Sequence, residues 1–346
     1  MYLKGIANSV PEAVFTQRDC WEILSQSDRF GRLKNRSQRL LEKVLMGDNG
    51  IDTRRFAMPE VENLFDLDAG SLNRGFEMQA PRLGREALAK ALESAKVAAK
   101  DVDALLVCTC TGYLCPGVSS YVAEQLGMRS DIFLSDMVGL GCGAAVPMLR
   151  QADSLARANP SMTIACIAVE ICSAAFYLDD DPGVLISLCL FGDGASASIW
   201  KGNEEGAGGT GLRCFGFDTI HSPQDRELLR FQNMNGKLRN RLDRAVPVKA
   251  AGMVKTLLGR SGCDEDVDIV SHAGGRDVLD EIGEVLGDPD LGVAREVLRN
   301  NGNMSSPSVL FALEHYLGAK EGEDLKAWAT SFGAGFACHS CQFERG

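Results

Sequence analysis

Two hydrophobic rhythms alternate along the chain. Residues 104–110 and 163–170 are apolar at almost every position, which predicts strands buried on both faces. Residues 79–99 instead place Leu83, Ala87, Leu88, Leu92 and Ala95 on one side, which predicts a helix. The same grammar gives a strand over 2–8, a helix over 17–25 capped by Thr16, and a second helical stretch ending near Gly47. A loop at 111–117 is followed by a helix to Leu126, then a strand over 131–135. That strand enters a glycine turn containing Cys142, and a helical pattern continues to Ala158. Residues 185–190 lead to the glycine-bracketed turn Phe191-Gly192-Asp193-Gly194-Ala195 and then to 196–200.

Residues 202–211, rich in glycine and glutamate, read as a surface loop and a boundary. Beyond it the grammar restarts: strand 212–219, helix 247–258, strand 268–271, helices 276–286, 291–299 and 305–317, and final strands near 326–332 and 338–343. Alternating strands and helices imply an α/β fold with largely parallel sheets. Repetition of that alternation implies two pseudo-duplicated halves, residues 1–201 and 202–346.

Composition narrows the function. A 346-residue chain with 45% hydrophobic and 24% charged residues is an ordinary soluble globular protein. A net charge of −11 argues against a nucleic-acid partner held by bulk electrostatics. The N-terminal residues show no signal-peptide pattern, and no apolar run reaches the ~18 residues of a membrane helix. The 12 cysteines are scattered through apolar segments, which suggests reduced thiols in a cytoplasm rather than a disulfide scaffold.

The chemistry centres on Cys142. At the first turn of a helix, unpaired N–H groups and the dipole favour a thiolate, so a lowered pKa and a nucleophile are expected. The alternative is one more buried small residue. Of the four histidines, His272 stands apart: it ends an apolar strand and precedes Ala273-Gly274-Gly275. The carboxyl end of a parallel strand faces the crevice where α/β proteins bind ligands. Asn303 sits among polar residues at the start of an apolar helix, as a cap or as a hydrogen-bond donor. Arg36, Arg39 and Lys43 are spaced to share one helix face, either solvated or facing a phosphate-rich ligand. A cysteine, a histidine and an asparagine suffice for thioester chemistry: thiolate attack, then stabilisation of the enolate left when a malonyl thioester loses carbon dioxide.

Leu140-Gly141-Cys142-Gly143-Ala144-Ala145, Leu190-Phe191-Gly192-Asp193-Gly194-Ala195, Ser271-His272-Ala273-Gly274-Gly275 and Gly302-Asn303-Met304-Ser305-Ser306 occur in order. In sequence and spacing they resemble the type III polyketide synthases, the chalcone-synthase-like branch of the thiolase superfamily. The resemblance implies a thiolase-like fold with a layered αβαβα core, acyltransferase activity and a homodimer. It implies Cys142 as acyl carrier and His272 with Asn303 as the decarboxylation and oxyanion pair. Phe191 matches an aromatic gatekeeper, and Gly274 and Gly275 the backbone passed by a pantetheine arm. Arg36, Arg39 and Lys43 look like contacts to coenzyme A phosphates, and Cys115 occupies a place that reaches across a dimer interface. Cys110, Thr111, Cys172 and Ala175 match cavity-lining positions, several smaller or less polar than in plant chalcone synthases. An aliphatic starter and pyrone- or resorcinol-type products follow as expectations.

The implied substrates are acyl thioesters of coenzyme A or an acyl carrier protein, with malonyl-CoA. No cofactor, metal, nucleic acid or membrane is expected. A second aromatic gatekeeper is expected near Phe231 to Leu242 but not assignable. The nearest rival is 3-oxoacyl-[acyl-carrier-protein] synthase III, which condenses once with the same three residue types. A zinc-binding interaction protein, using Cys108, Cys110, Cys338 and Cys341, is the reading from a different class.

Overall fold

The computed structural model describes residues 1–203, 211–264, 266–320 and 324–345. Most of the stretch expected as a boundary, 204–210, lies outside the described residues. In chain order the strands are β1 (Tyr2–Ser9), β2 (Val14–Thr16), β3 (Thr53–Arg55), β4 (Ala104–Thr109), β5 (Phe133–Val138), β6 (Thr163–Glu170), β7 (Gly194–Lys201), β8 (Arg213–His221), β9 (Leu229–Met234), β10 (Lys237–Leu242), β11 (Asp268–Ser271), β12 (Leu325–Gly333) and β13 (Ala337–Arg345). The helices are α1 (Gln17–Ser25), α2 (Asp28–Gly31), α3 (Asn35–Met46), α4 (Ala69–Ala95), α5 (Val118–Gln125), α6 (Ala145–Ala158), α7 (Pro182–Leu190), α8 (Val246–Ser261), α9 (Arg276–Leu286), α10 (Gly292–Asn301) and α11 (Ser308–Ala319).

Nine strands form one sheet in the order β11-β12-β13-β8-β1-β7-β6-β4-β5. The β1–β8 junction is slight: Tyr2 faces Arg213, Leu3 N donates to Leu212 O at 2.9 Å, and Cys214 N donates to Met1 O at 2.8 Å. Either side of it the two halves repeat. β4 and β6 are parallel, and β6, β7 and β1 then run antiparallel. In the second half β11 and β12 are parallel, and β12, β13 and β8 run antiparallel. β5, parallel to β4, has no counterpart among the described residues. The sheet is therefore mixed, which corrects the expectation of largely parallel sheets. Apolar runs report burial on both faces, not strand direction, and the short turn from β12 to β13 forces an antiparallel pair.

The alternation of side chains builds the layers. On β4, Leu105 and Val107 face α4 and α5, while Ala104, Leu106 and Cys108 face α6. Fully burying an aliphatic side chain such as Leu105 or Leu106 contributes about 1.5–3 kcal/mol. α6 packs on β4 and β6 of the first half and on β8, β12 and β13 of the second; α11 likewise touches β1, β11 and β12. α4 covers the outer face of the first half, and α8 lies against β8 and β13 of the second. The result is a five-layer αβαβα stack with α6 and α11 in the middle.

Local differences have local causes. α4 starts ten residues before the predicted helix, where Asp68 caps the N–H of Ser71 at 2.7 Å. Its first turns carry few apolar anchors, Leu72 and Phe76 chief among them. β5 runs to Val138 rather than stopping at Ser135. The hairpin β9–β10 is not among the predicted elements, although Asn235-Gly236, both at positive φ, is a strong sequence signal for a two-residue turn.

Candidate active site

Cys142 sits in the 3-10 turn Gly141–Gly143 that feeds directly into α6. The second half reaches this turn through Gly333 at the end of β12. A Cβ at Gly333 would stand 2.5 Å from Gly143 N and 2.9 Å from Cys142 N, so only glycine permits the approach. Ser331 Oγ, two residues earlier, donates to Gly143 O at 3.0 Å.

His272 leaves β11 with its N–H donating to Thr330 O on β12 at 2.9 Å. Its ring stands edge-on to Phe332, centroids 5.0 Å apart. His272 Nδ1 is buried with no hydrogen-bond partner among the described residues. Packing rather than a carboxylate therefore orients the imidazole.

Asn303 is fixed on three sides. Its N–H donates to Leu190 O at 2.9 Å, and its carbonyl accepts from Gly192 N at 3.0 Å, forming a short parallel bridge beside Phe191. Oδ1 accepts from Ser305 N at 2.7 Å, and Nδ2 donates to Gly274 O at 3.0 Å. These partners set the amide's orientation and leave it a second N–H.

Cys142, His272 and Asn303 line one cavity of about 410 Å³, together with Phe191, Gly274, Gly275 and Phe332. Exposed Lys43 and Arg244 and half-buried Arg276 also border it. Arg36 and Arg39 lie on the same helix as Lys43, exposed and outside the lining. Phe191 also lines a second, smaller void of about 20 Å³ with Thr111, Cys172, Ala175, Phe176, Phe231 and Asn240. Asn240 faces Phe231 across the β9–β10 hairpin and donates to Ser187 Oγ at 2.9 Å. Cys110 lies just behind, its Sγ 3.3 Å from Ser305 Oγ. Cys115 is exposed and lines neither space.

The electrostatics correct one expectation. Burial pushes the Cys142 thiol up to about 12 and the His272 imidazole down to about 3. A hydrogen bond from Ser305 works against the first shift, and the buried Glu170 charge adds to it. Desolvation is the largest influence on both groups, and it favours the neutral thiol and the neutral imidazole.

Glu170 was missed. It closes the apolar strand β6, is fully buried, and accepts from Thr109 Oγ1, Cys110 N, Thr111 N and Thr111 Oγ1 at 2.8–3.1 Å and from Ser306 Oγ at 2.6 Å. Burial raises its pKa above the usual range. A lone carboxylate ending an otherwise apolar strand was the available signal. Asp193, in the turn after Phe191, is pushed up to about 6 by burial and ties Ala57 N (2.6 Å) to Ser173 N (2.8 Å). Among the described residues no three metal-binding side chains cluster.

Residues 2–204 match the family model for the N-terminal domain of chalcone and stilbene synthases, and residues 226–340 match that for the C-terminal domain. The 1,3,6,8-tetrahydroxynaphthalene synthase of Streptomyces peucetius subsp. caesius is 32% identical over 323 residues, covering 90% of this chain and 84% of the relative. The alpha-pyrone synthesis polyketide synthase-like Pks18 of Mycobacterium tuberculosis is 25% identical, covering 99% and 90%. The crystal structure of the Streptomyces coelicolor tetrahydroxynaphthalene synthase, a bacterial type III polyketide synthase, superposes with a TM-score of 0.87 at 26% identity, over 100% of this chain and 99% of that one.

Proposed function

The chain belongs to the chalcone and stilbene synthase family and is a type III polyketide synthase; from that premise we propose how its residues act and what it loads. An acyl thioester enters past Lys43, Arg244 and Arg276, cations suited to the phosphates of coenzyme A. His272 takes the Cys142 proton as sulfur attacks the thioester carbonyl. The tetrahedral intermediate expels the carrier thiolate, which His272 reprotonates, leaving acyl-Cys142. A malonyl thioester then loses carbon dioxide. The enolate oxygen is stabilised by hydrogen bonds from Asn303 Nδ2 and the His272 ring. The enolate carbon attacks the acyl-Cys142 carbonyl, a carbon–carbon bond forms, and the thiolate leaves.

The observation that carries this mechanism is that the two halves bring Cys142, His272 and Asn303 to one cavity. The starter is aliphatic, because Cys172, Ala175, Phe176, Val184 and Leu188 make the lining beyond Phe191 mostly apolar; the void of about 20 Å³ is smaller than the substitutions at these positions suggest, so a fatty chain enters only as its walls move apart. Repeated extension ending in a pyrone or resorcinol fits that starter, and either coenzyme A or a carrier protein would deliver it.

The assembly is a homodimer built on β5. Among the described residues that strand is a sheet edge with one side of its backbone unpaired, and Phe133, Leu134 and Val138 are exposed along it. Gly117, two residues after Cys115, packs against Asp136 of β5, so Cys115 lies next to that edge. Among the described residues no helix is long and apolar enough to cross a membrane, and every cysteine is free, which suits a reducing cytoplasm.

Mass spectrometry of products from a panel of acyl-CoA starters with malonyl-CoA tests the function. Pyrones or resorcinols from fatty acyl starters are expected. A single β-keto product from every starter would overturn repeated extension, and use of aromatic starters alone would overturn the aliphatic assignment.

A further inference from the structure

Arg54, on β3, is 2% exposed, yet among the described residues no carboxylate pairs with it. Its charge is met by oxygens that carry no full charge. Nε donates to Gln17 Oε1 at 3.0 Å, and Nη1 donates to Leu188 O at 2.7 Å and Phe191 O at 3.0 Å. The guanidinium lies over the Phe56 ring, 5.1 Å from its centroid.

Both carbonyls belong to the C-terminal end of α7, where carbonyls lack helical partners and the dipole is negative. The neighbouring ones are held from outside too. Gln17 Nε2 donates to Cys189 O at 3.1 Å, and Asn303 N donates to Leu190 O at 2.9 Å. The carbonyls of residues 188, 189, 190 and 191 are thus each fixed by a group outside α7. Gly302 completes the contact: a Cβ there would lie 3.0 Å from Arg54 Cγ and 2.6 Å from Leu190 O. One buried cation therefore grips the Phe191 backbone and packs against the residue preceding Asn303. A buried charge without a counter-charge is costly. Neutral amides would satisfy the same carbonyls, as Gln17 does for Cys189. What the guanidinium adds is a rigid plane whose Nη1 meets two carbonyls while its Nε meets Gln17, all in fixed relation.

We propose that Arg54 is a positioning residue that fixes Phe191, and with it the aperture between the reaction cavity and the inner void, and so selects starter length. This rests on the role given to Phe191 above. Arg54→Lys keeps the charge and much of the stem against Gly302 but loses the Nε bond to Gln17 and the rigid plane that ties it to the two carbonyls.

The test measures kcat/KM for acyl-CoA starters of increasing chain length, malonyl-CoA decarboxylation without starter, and Tm, in the full chain. In Arg54→Lys the ratio of kcat/KM for long and short starters is expected to shift ~10-fold or more, the size of a methylene-scale change in pocket fit. Decarboxylation should stay within about 2-fold, and Arg54→Lys in a Phe191→Leu background should add no further shift, as for two residues acting through one contact. Gln17→Met, which removes the acceptor on Nε, gives the same readout should Arg54→Lys not fold. Parallel loss of decarboxylation and of all starters with falling Tm would reduce Arg54 to a structural part and overturn the proposal. A shifted profile in Phe191→Leu beside an unchanged one in Arg54→Lys would overturn the role of Arg54 alone. An unchanged profile in Phe191→Leu would remove the gate, and the proposal with it.

Discussion

The two sides of Phe191 differ in what builds them. On the outer side lies a cavity of about 410 Å³, and its chemistry is set by backbone: a 3-10 turn, the end of β11, and a two-residue bridge to α7. On the inner side a void of about 20 Å³ is shaped by side chains: Cys172 and Ala175 from one turn, Phe231 and Asn240 from a hairpin. Topology places a reaction. On the proposed function, packing of a few side chains chooses what is fed to it.

If that division holds, substitutions outside Phe191 should end the chemistry and substitutions inside should redirect it. Cys142→Ala should lower starter loading by ~10⁴-fold or more with an unchanged circular dichroism spectrum, because no other nucleophile is held at that turn. Asn303→Ala should lower malonyl-CoA decarboxylation by about 10²–10³-fold, the usual cost of one oxyanion donor. Carbon dioxide release without starter measures it, and near-normal release would remove Asn303 from the mechanism.

Burying neutral His272 should also have a price in acid. Its folded pKa, about 3, lies below the unfolded value of 6.5, so between those values the unfolded chain binds the extra proton and stability falls as pH falls. By pH 4.5 this amounts to about 2–3 kcal/mol. His272→Asn should therefore lose less stability than the parent between pH 7 and 4.5, as read by urea unfolding. Parallel pH profiles would contradict a neutral buried imidazole. The smallest effect belongs inside: Ala175→Leu should cut kcat/KM for long starters ~10-fold, with decarboxylation unaffected, since filling a void costs methylene-scale binding.

The same division explains what could be read from the residues alone. β4 and β6 announced themselves as unbroken apolar runs, and α6 and α9 by their periodicity. Cys142, His272 and Asn303 each sat at a strand end or helix start, where motif and backbone coincide. Strand direction was hidden because burial on both faces looks alike in parallel and antiparallel pairs. Arg36, Arg39 and Lys43 share a face by spacing, but only the residue nearest the end of α3 reaches the cavity. Arg244 and Arg276 arrive from distant parts of the chain, so no local pattern joins them. Phe231 and Asn240 meet across a hairpin whose strands are polar and half-exposed, leaving the Asn235-Gly236 turn as their one signal.

Peptide mapping by mass spectrometry after incubation with a fatty acyl-CoA shows which of the 12 cysteines carries the acyl group. The acyl mass should appear on the peptide bearing Cys142, and no acyl-enzyme should form in Cys142→Ala. Acylation of Cys110 or Cys172 instead, or an acyl-enzyme that survives in Cys142→Ala, would contradict it.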